Sequence, residues 1–424
     1  MSELLFRKKK NLLTPNASVF AEDGMPIINS LMDTDMYKIY MLQPISSRYM
    51  AAEAKMKFLC RDSEDLIPYI PEIIKQVKMV GDLRFTSDQL SFLENKIPAL
   101  KRSFVKGYLR MFKLFPEDVS IREEKGQVAI TTSGNWAQIT MWEIIILAIV
   151  SEIRNKALHP NIDLDDIRHK LSQKVSSFYQ LASEQKIDLS DLNIADFGTR
   201  RRLSFKTQFA VVDYLKHAMP DHFVGTSNVH IARELDLKAI GTQAHEWWQA
   251  HQALSGHRLI DSQKAALQAW ADEYRGELGD ALTDCISMDA FLNDFDKYFS
   301  LLFSGMRHDS GCPFEWGEKA IAHYEKLGID PKTKTLIFSD GLKLGQEVLD
   351  LYSRFKDRIN VSFGIGTNLT CDVEGVKPMN IVMKMVELND NPVAKLSDSP
   401  GKSMCDDQSY VEYLKKVFKY DVKG

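Results

Sequence analysis

The sequence predicts an α/β fold, namely an irregular (β/α) barrel that follows an N-terminal α+β domain. In the second half, short apolar runs alternate with helical patterns, which is typical of parallel strands joined by helices. Nearly every run ends in Gly, Asp, Ser or Thr, the residues that follow strands at ligand-binding loops. The runs Thr335-Leu336-Ile337-Phe338 and Val361-Ser362-Phe363 are neighbours in sequence, so they predict successive βα units.

The length of 424 residues favours two domains, because one ordinary core does not grow to that size. We expect an α+β domain over 1–160, a barrel over 161–390, and a C-terminal extension over 391–424 that packs back on the N-terminal domain. A break at His159-Pro160-Asn161 precedes a helical segment from Leu164 to Gln185 and sets the first boundary. The strand candidates beyond it are Asn193 to Phe197, His222 to Gly225, Lys238 to Gly241, Ala281 to Thr283, Leu336 to Phe338 and Val361 to Gly364.

Charge and composition exclude several classes of protein. The formal net charge of -4 argues against a nucleic-acid binder, which would show a basic face. The five cysteines are scattered and form no C-x-x-C pair, which indicates a reducing compartment. The most apolar helix candidate, Met141 to Val150, is shorter than a membrane span and contains Glu143, so it predicts a buried core helix. We therefore expect a cytoplasmic protein with small-molecule substrates and neither a membrane nor a nucleic-acid partner.

Two loops after strand candidates have the chemistry of phosphate sites. Ser339-Asp340-Gly341-Leu342-Lys343 and Gly364-Ile365-Gly366-Thr367-Asn368 offer small residues, hydroxyls and free backbone N–H groups. The second begins like G-x-G-x-x-G, but Leu369 replaces the third glycine, which argues against a dinucleotide site. Ordinary turns are the alternative interpretation of both loops.

His245 is the histidine with the clearest chemical context. The run His245-Glu246-Trp247-Trp248-Gln249 misses H-E-x-x-H at its last position, so a helical zinc site is not predicted. Next to a strand candidate, a neutral imidazole can act as a base, a nucleophile or a phosphoryl acceptor. A histidine in a hydrogen-bonded loop is the structural alternative.

Two further segments combine cations with aromatic or acidic groups. In Asp196-Phe197-Gly198-Thr199-Arg200-Arg201-Arg202, an aromatic face and guanidinium groups suit a flat anionic ring. In Arg307-His308-Asp309-Ser310-Gly311, Asp309 joins Asp340 as a carboxylate that could face Mg²⁺ together with phosphate oxygens. The structural alternatives are a basic helix start and a solvated turn with an Arg–Asp pair.

Seven motifs occur in order between about Ile28 and about Lys402. They are Asp33-Thr34-Asp35-Met36-Tyr37-Lys38, Asp196-Phe197-Gly198-Thr199-Arg200-Arg201, Gly225-Thr226-Ser227-Asn228, Gly241-Thr242-Gln243-Ala244-His245-Glu246-Trp247, Arg307-His308-Asp309-Ser310-Gly311, Phe338-Ser339-Asp340 and Phe363-Gly364-Ile365-Gly366-Thr367. Together they resemble the nicotinate phosphoribosyltransferase family. The resemblance implies an irregular α/β barrel of the type II phosphoribosyltransferase kind, usually in a homodimer. It also implies an ATP-coupled ligase reaction of NAD salvage, in which nicotinate, phosphoribosyl pyrophosphate, ATP and water give nicotinate mononucleotide, pyrophosphate, ADP and phosphate.

The resemblance implies a role for each matching residue. His245 is the implied phosphohistidine, with Arg307 and Asp309 as the other catalytic residues. Phe197 is the implied stacking face for the pyridine ring, with Tyr37 from the partner subunit on the other side. The remaining implied substrate-binding residues are Arg200, Thr226, Ser227, Ser339, Asp340, Gly364, Gly366 and Thr367. ATP and Mg²⁺ are the implied cofactors; no motif binds the metal directly, so it is held through pyrophosphate, with Asp309 or Asp340 as candidate contacts.

Three positions bear on how far the resemblance extends. Relatives commonly carry an acidic residue where Cys312 stands and an asparagine where Gly341 stands. Ser227 occupies the place of an aspartate found in nicotinamide phosphoribosyltransferases; without that negative charge, nicotinate is favoured over nicotinamide. The alternatives are a nicotinamide-using enzyme, a barrel aldolase or isomerase acting on a phosphorylated sugar, and a nucleotide sensor. No isolated lysine ends a strand candidate as a Schiff-base enzyme needs, and a sensor would have lost His245, Asp309 or Arg200.

Overall fold

The structure is a computed structural model that describes residues 18–62, 64–275, 277, 279–399 and 404–420. Its strands are β1 (Glu53–Cys60), β2 (Val119–Glu124), β3 (Gln127–Asn135), β4 (Asn193–Asp196), β5 (Phe223–Thr226), β6 (Asp280–Leu282), β7 (Gly305–His308), β8 (Thr335–Phe338), β9 (Asn360–Ile365), β10 (Ile381–Leu388) and β11 (Asn391–Pro392). Residues 1–17 of the predicted first domain and 421–424 of the predicted extension lie outside this description.

The helices flank and connect these strands. They are α1 (Met36–Arg48), α2 (Ile70–Val80), α3 (Ser87–Lys96), α4 (Trp136–Ile139), α5 (Trp142–Leu158), α6 (Leu164–Glu184), α7 (Phe205–Ala218), α8 (Val229–Glu234), α9 (His245–Ala250), α10 (Ser262–Tyr274), α11 (Met288–Asp294), α12 (Lys297–Leu302), α13 (Pro313–Lys326), α14 (Gln346–Phe355), α15 (Thr367–Thr370) and α16 (Gln408–Val417). Helix α6 has almost the predicted bounds, because Asp163 caps its N-terminus and an apolar face from Leu164 to Ala182 is buried.

An antiparallel sheet has the strand order β11-β10-β1-β3-β2 in the described residues. Strand β1 buries Ala54, Met56 and Phe58, while the lysines between them are partly exposed, as expected for a sheet with one face in the core. Strand β10 pairs along the other edge of β1, with Met56 opposite Met385. The sequence placed 381–388 in the barrel, but this strand belongs by pairing to the sheet of the N-terminal part.

A parallel sheet has the order β5-β4-β9-β8-β7-β6 among the residues that the structure describes. The α/β class with a parallel sheet is therefore confirmed, and five of the predicted strands correspond to β4, β5, β6, β8 and β9. Lys238 to Gly241 forms only one bridge, between Thr226 and Ala239. No ladder joins β5 to β6 in the described ranges, so closure into a barrel stays a prediction.

The register of the parallel strands brings their carboxyl ends to one edge. His308 of β7, Phe338 of β8 and Phe363 of β9 are in register. Because the carboxyl ends of parallel strands carry the ligand-binding loops, the residues after them lie along the same edge. In sheet order these residues are Ser227, Phe197, Gly366, Ser339, Asp309 and Asp284.

The apolar helix α5 lies inside the protein, as predicted. The stretch Trp136–Leu158 is long and apolar enough to cross a membrane by length and composition. The mean hydropathy of its 18-residue window is 1.5, but 94% of that window is buried inside the protein. Its Glu143 is neutralised by Lys38 at 2.6 Å. A buried core helix therefore explains the apolar run.

The C-terminal segment contacts both sheets of the described structure, and its packing on the N-terminal domain as a whole stays a prediction. Its apolar side chains Ala394, Leu396, Val411 and Leu414 cluster with Ile286, which follows β6 of the parallel sheet. Its contacts with the N-terminal sheet include the β10–β11 pairing, a bond from the N–H of Val393 to the carbonyl of Val386 at 3.1 Å, and an ion pair between Lys57 and Asp406. The apolar face of α16 is buried in the cluster beside β6.

Candidate active site

A narrow cleft lies where the carboxyl edge of the parallel sheet faces β1 and β10. Its polar lining consists of Tyr37, Glu143, Arg200, Gln243, His245, Glu246, Arg307, Asp309 and Lys384. Five residues proposed from the sequence, Tyr37, Arg200, His245, Arg307 and Asp309, are thus brought together. They come from four separate parts of the chain.

His245 begins α9, and its ring nitrogen Nε2 lies 2.9 Å from Oδ1 of Asp284 and 3.7 Å from Oδ2 of Asp309. Burial, reinforced by the positive charge of Lys395, lowers the pKa of His245 to about 4 against the opposing effect of Asp284. The imidazole is therefore neutral near pH 7. Since an ionised carboxylate can only accept, the ring proton belongs on Nε2 and the lone pair is on Nδ1.

Asp284 lies at the centre of the contacts that hold this histidine. Its Oδ2 accepts from Ser310 Oγ at 2.7 Å and lies 2.9 Å from Lys395 Nζ. Burial alone would raise the pKa of Asp284, but Lys395, His245 and Ser310 hold it well below its usual range. Asp284 is consequently an ionised acceptor for the imidazole.

Arg307 binds three loops with one guanidinium group. It donates from Nε to Ser339 Oγ at 3.0 Å, from Nη1 to Thr242 Oγ1 at 2.7 Å and from Nη2 to Asp309 Oδ1 at 2.8 Å. Against the effect of burial, Arg307 and His245 hold the pKa of Asp309 well below its usual range. Arg307 thereby fixes the positions of the loops after β7 and β8 relative to the segment that precedes His245.

Two more cations face the cleft. Burial opposes the charge of Arg200, but the surrounding Tyr37, Glu143, Asp35 and Asp309 raise its pKa. Burial lowers the pKa of Lys384 to about 8, in spite of the attraction of Glu143. The buried amine lies 3.8 Å from Glu143 and is repelled by Arg200 and Lys395, so a bound anion would stabilise its charge.

Lys38 forms ion pairs with two glutamates that line the cleft. Its Nζ lies 2.6 Å from Glu143 Oε2 and 2.5 Å from Glu246 Oε2. Glu246 also accepts from Trp136 Nε1 at 2.6 Å, and Tyr37 donates its hydroxyl to Glu143 at 3.3 Å. Helix α1 is therefore joined by charge to α5 and to the helix that begins with His245.

Phe197 lies against the backbone of the strand next to its own. A Cβ atom on Gly364 would come within 2.3 Å of Cδ2 of the Phe197 ring, so only glycine leaves room there. The partly exposed Gly366 and Thr367 follow, and Asn368 Oδ1 accepts from the backbone N–H of Leu344 at 3.0 Å. This bond links the two predicted phosphate loops.

The other sequence-predicted residues are arranged around these loops. Ser339 Oγ, which accepts from Arg307, donates to the carbonyl of His308 at 2.9 Å. Asp340 is partly exposed and acts electrostatically on His308 and Arg201. Thr226 is fully buried and donates to Asp196 Oδ2 at 2.7 Å, which is a structural contact.

Two family models match most of the chain. The model of the NAPRTase N-terminal domain matches residues 32–151, and the model of the nicotinate phosphoribosyltransferase (NAPRTase) family matches residues 192–422. The chain belongs to the nicotinate phosphoribosyltransferase family. The nicotinate phosphoribosyltransferase of Ectopseudomonas mendocina is 54% identical over 95% of this chain and 98% of its own length. Nicotinate phosphoribosyltransferase 1 of Pseudomonas aeruginosa is 52% identical, again over 95% of this chain and 98% of its own.

Solved structures of nicotinate phosphoribosyltransferases share this fold. The crystal structure of the Vibrio cholerae protein has a TM-score of 0.90 at 39% identity and covers 96% of both chains. The Porphyromonas gingivalis structure has a TM-score of 0.86 at 32% identity, covering 93% of this chain and all of its own. The similarity extends over both sheets, so the cleft lies in the part of the fold shared with this family.

Tyr37 lines the cleft of its own chain. Its place is set by α1, whose first residue Met36 donates its N–H to the carbonyl of Ser227 at 2.8 Å. The expected donation of Tyr37 across a subunit interface stays a prediction. Tyr37 and Phe197 make no ring contact in the described part of the chain.

The carboxylates fit a substrate-borne Mg²⁺ better than a closed protein site. Ligand atoms of His245, Asp284 and Asp309 lie within 4.8 Å of one another. However, Lys395 already neutralises Asp284, and Mg²⁺ prefers oxygen ligands over an imidazole. Asp309 is the member of this group that is best placed to contact a metal bound through phosphate oxygens.

Several residues of the site were missed from the sequence. Asp284, Lys384 and Lys395 belong to no recognised motif, and Lys38 was quoted only as part of the first one. Lys384 has one usable signal, since it interrupts the apolar strand β10, and Glu143 similarly interrupts an apolar helix. A charge inside an otherwise apolar element is costly unless it is paired, and for that reason it often marks a site.

Proposed function

We propose that the chain couples ATP hydrolysis to the transfer of a phosphoribosyl group from phosphoribosyl pyrophosphate to nicotinate, as a ligase-class enzyme of NAD salvage. Membership of the nicotinate phosphoribosyltransferase family supports the transfer reaction and decides against the aldolase, isomerase and sensor alternatives. The observation that carries the ATP coupling is His245, a neutral imidazole held by Asp284 in the same cleft as Arg307 and Asp309.

The residues divide the reaction between them. Displacement of pyrophosphate at the anomeric carbon develops positive charge on the ribose and negative charge on the leaving group. Arg307, Arg200 and Lys384 supply the positive field for the leaving group. Phe197 offers its face to the pyridine ring, and the loops with Ser339, Gly364, Gly366 and Thr367 supply N–H groups and hydroxyls for the phosphoribosyl half. Mg²⁺, when bound through pyrophosphate beside Asp309 or Asp340, would neutralise the leaving group.

His245 is the proposed phosphoryl acceptor. Its Nδ1 lone pair attacks the γ-phosphorus of ATP, the bond to the bridging oxygen of ADP breaks, and ADP leaves with the electron pair. Water later cleaves the N–P bond and releases phosphate. The added negative charge next to Arg307 and Asp309 changes the affinities for substrate and product, which is how the hydrolysis can drive the transfer.

The test replaces His245 by Ala or Asn and measures ADP and nicotinate mononucleotide together. The unaltered enzyme should form the two products in equal amounts and incorporate label from γ-labelled ATP. Both variants should lose ADP formation and labelling, by at least about 100-fold, while some ATP-independent transfer remains. His169→Ala, at an exposed position of α6, is the matched control. Full ATP coupling in either His245 variant would contradict the proposal.

Nicotinate is the proposed substrate rather than nicotinamide. Ser227 Oγ donates to Asp35 Oδ1 at 2.7 Å, so this position contributes a neutral hydroxyl in place of a carboxylate. In direct competition for phosphoribosyl pyrophosphate, nicotinate should be consumed first, and Ser227→Asp should narrow the difference. Faster use of nicotinamide by the unaltered enzyme would overturn this assignment.

The assembly, location and finer architecture belong to the same proposal. We expect a cytoplasmic homodimer whose parallel sheet completes a type II phosphoribosyltransferase barrel, with a domain boundary at residue 160, an extension over 391–424, and β10 returning to the N-terminal sheet. The donation of Tyr37 across the dimer interface is part of this proposal. Sedimentation of the full chain gives the oligomeric state directly.

A further inference from the structure

A short segment near the C-terminus crosses the loops that hold His245. We call residues 394–399 the C-terminal clasp. The N–H of Leu396 in the clasp donates to the carbonyl of Cys285, in the loop after β6, at 2.8 Å. On the loop after β7, the N–H of Gly311 donates to Ser399 Oγ at 3.0 Å. The clasp is thus fixed to both loops that supply carboxylates to the histidine.

Lys395 is the charged side chain of the clasp that points inward. It is 7% exposed, and its Nζ lies 2.9 Å from Oδ2 of Asp284, which is 1% exposed. The backbone just before it is anchored, because the N–H of Ala394 donates to Gln252 Oε1 at 2.9 Å. The ammonium group therefore has a fixed origin and a buried partner.

The two oxygens of Asp284 are held from opposite directions. Oδ1 receives the imidazole of His245 at 2.9 Å, while Oδ2 receives Lys395 at 2.9 Å and Ser310 at 2.7 Å. A carboxylate held at both oxygens cannot rotate about its Cβ–Cγ bond without breaking a charged contact. Loss of the lysine would also leave a buried carboxylate without its compensating charge.

We propose that Lys395 is a positioning residue for His245, which acts by holding Asp284 in the orientation that keeps the ring proton on Nε2 and Nδ1 ready for attack. The inference rests on the proposed role of His245 as phosphoryl acceptor. It assigns the C-terminal clasp to the reaction, although the residues of the clasp belong to none of the seven motifs.

The experiment compares Lys395→Met, which removes the charge, with Lys395→Arg, which keeps it. Lys416→Met, on the exposed face of α16, controls for the loss of a lysine in the same part of the chain. The first readout is the rate of phosphohistidine formation, relative to ATP-independent transfer. Lys395→Met should slow phosphohistidine formation about 10-fold or more, because a slightly misplaced group loses much of its rate. Lys395→Arg should recover most of the loss.

The second readout is the ¹⁵N NMR spectrum of the labelled histidines, with His245 assigned by its absence in His245→Asn. The unaltered enzyme and Lys395→Arg should show the Nε2–H tautomer alone, and Lys395→Met a mixture of tautomers. An unchanged tautomer in a folded Lys395→Met protein overturns the positioning role. So does an arginine variant as slow as the methionine variant. If Lys395→Met does not fold, Lys395→Gln, similar in length and uncharged, takes its place with the same expectations.

The two readouts separate this inference from the proposed function. The tautomer is measured without ATP, so a shifted tautomer in an enzyme that never forms phosphohistidine would contradict the proposed function and support the positioning role. If the unaltered enzyme forms phosphohistidine, and Lys395→Met changes neither the tautomer nor the rate, the proposed function is supported and the positioning role is contradicted.

Discussion

Two clusters of charged side chains lie a short distance apart in this protein, and they differ in whether they face a cavity. In the buried cluster beside β4 and β5, Arg202 donates to both oxygens of Asp33, at 2.6 and 2.7 Å, and Asn228 donates to the same carboxylate at 2.7 Å. In the cleft, Arg200, Arg307 and Lys384 line a cavity beside Glu143 and Asp309, and burial lowers the pKa of Lys384 in spite of the attraction of Glu143.

The difference separates residues that hold the fold from residues that receive a ligand. Asp33 and Arg202 are fully buried, and they connect the segment before α1 to the parallel sheet. The cleft cations are placed where an anion can complete the charge balance. Arg200 and Arg202 lie two residues apart in one segment, yet they belong to different clusters. The residue type alone therefore does not reveal what each arginine does.

The largest expected effect separates the two clusters by stability. Arg202→Met should lower the free energy of unfolding by about 3–5 kcal/mol, because it leaves Asp33 buried without its partner. Arg307→Gln should lower it much less, since Asp309 is 20% exposed and can be hydrated, but should reduce kcat/KM for phosphoribosyl pyrophosphate about 100-fold. Urea denaturation and steady-state kinetics on both variants provide the comparison. Equal losses of stability would show that the clusters do not differ.

A smaller effect concerns the approach of Phe197 to the sheet. Gly364→Ala should push the Phe197 ring out of place, because the new methyl group would meet it at 2.3 Å. We expect kcat/KM for nicotinate to fall several tens-fold, since stacking depends on the ring position. Gly107→Ala is the control, as a Cβ there meets nothing within 4 Å. Unchanged kinetics in Gly364→Ala would remove Phe197 from the stacking role.

The most gradual effect is a pH dependence of stability that belongs to the buried cluster. Burial raises the pKa of Glu152 to about 7, and its two oxygens accept from the N–H groups of Phe205 and Ala21. Between about pH 4.5 and about pH 7 the folded chain keeps a proton that the unfolded chain releases, so stability falls as pH rises, by up to about 1.4 kcal/mol per pH unit.

Glu152→Gln should flatten that slope, whereas Glu184→Gln, at the exposed end of α6, should not. Denaturation midpoints measured from about pH 5 to about pH 7 give both slopes. A wild-type slope retained in Glu152→Gln would assign the dependence to another group.

The sequence identified those parts of the site that stand in local patterns. His245, Asp309 and Phe197 each follow a strand or begin a helix, and Arg307 lies in a strand two residues before Asp309, so short motifs were sufficient to find them. The strands β8 and β9 were found because they are short continuous apolar runs that end in small polar residues. β7 was not predicted as a strand because Arg307 and His308 make up half of its four residues, although all four are buried.

The remainder depends on contacts between distant segments. Asp284 and Lys395 are ordinary residues in sequence, and they gain a role only because the C-terminal clasp passes over the loop after β6. The position of Tyr37 in the cleft follows from the way α1 meets Ser227, which no local pattern encodes. β10 was not among the predicted strands, and a pattern of apolar residues cannot say which sheet a strand joins.

The pairing of β10 with β1 has a consequence for how the protein is made. The N–H of Glu53 bonds to Asn389, a partner 336 residues later in the chain. While a ribosome is still synthesising the barrel region, β1 has one unpaired edge and Met56 lacks its cross-strand neighbour Met385. Exposed strand edges of this kind invite aggregation and slow the final folding step. The N-terminal sheet is thus begun first and finished almost last, after the nascent chain has supplied nearly every other element.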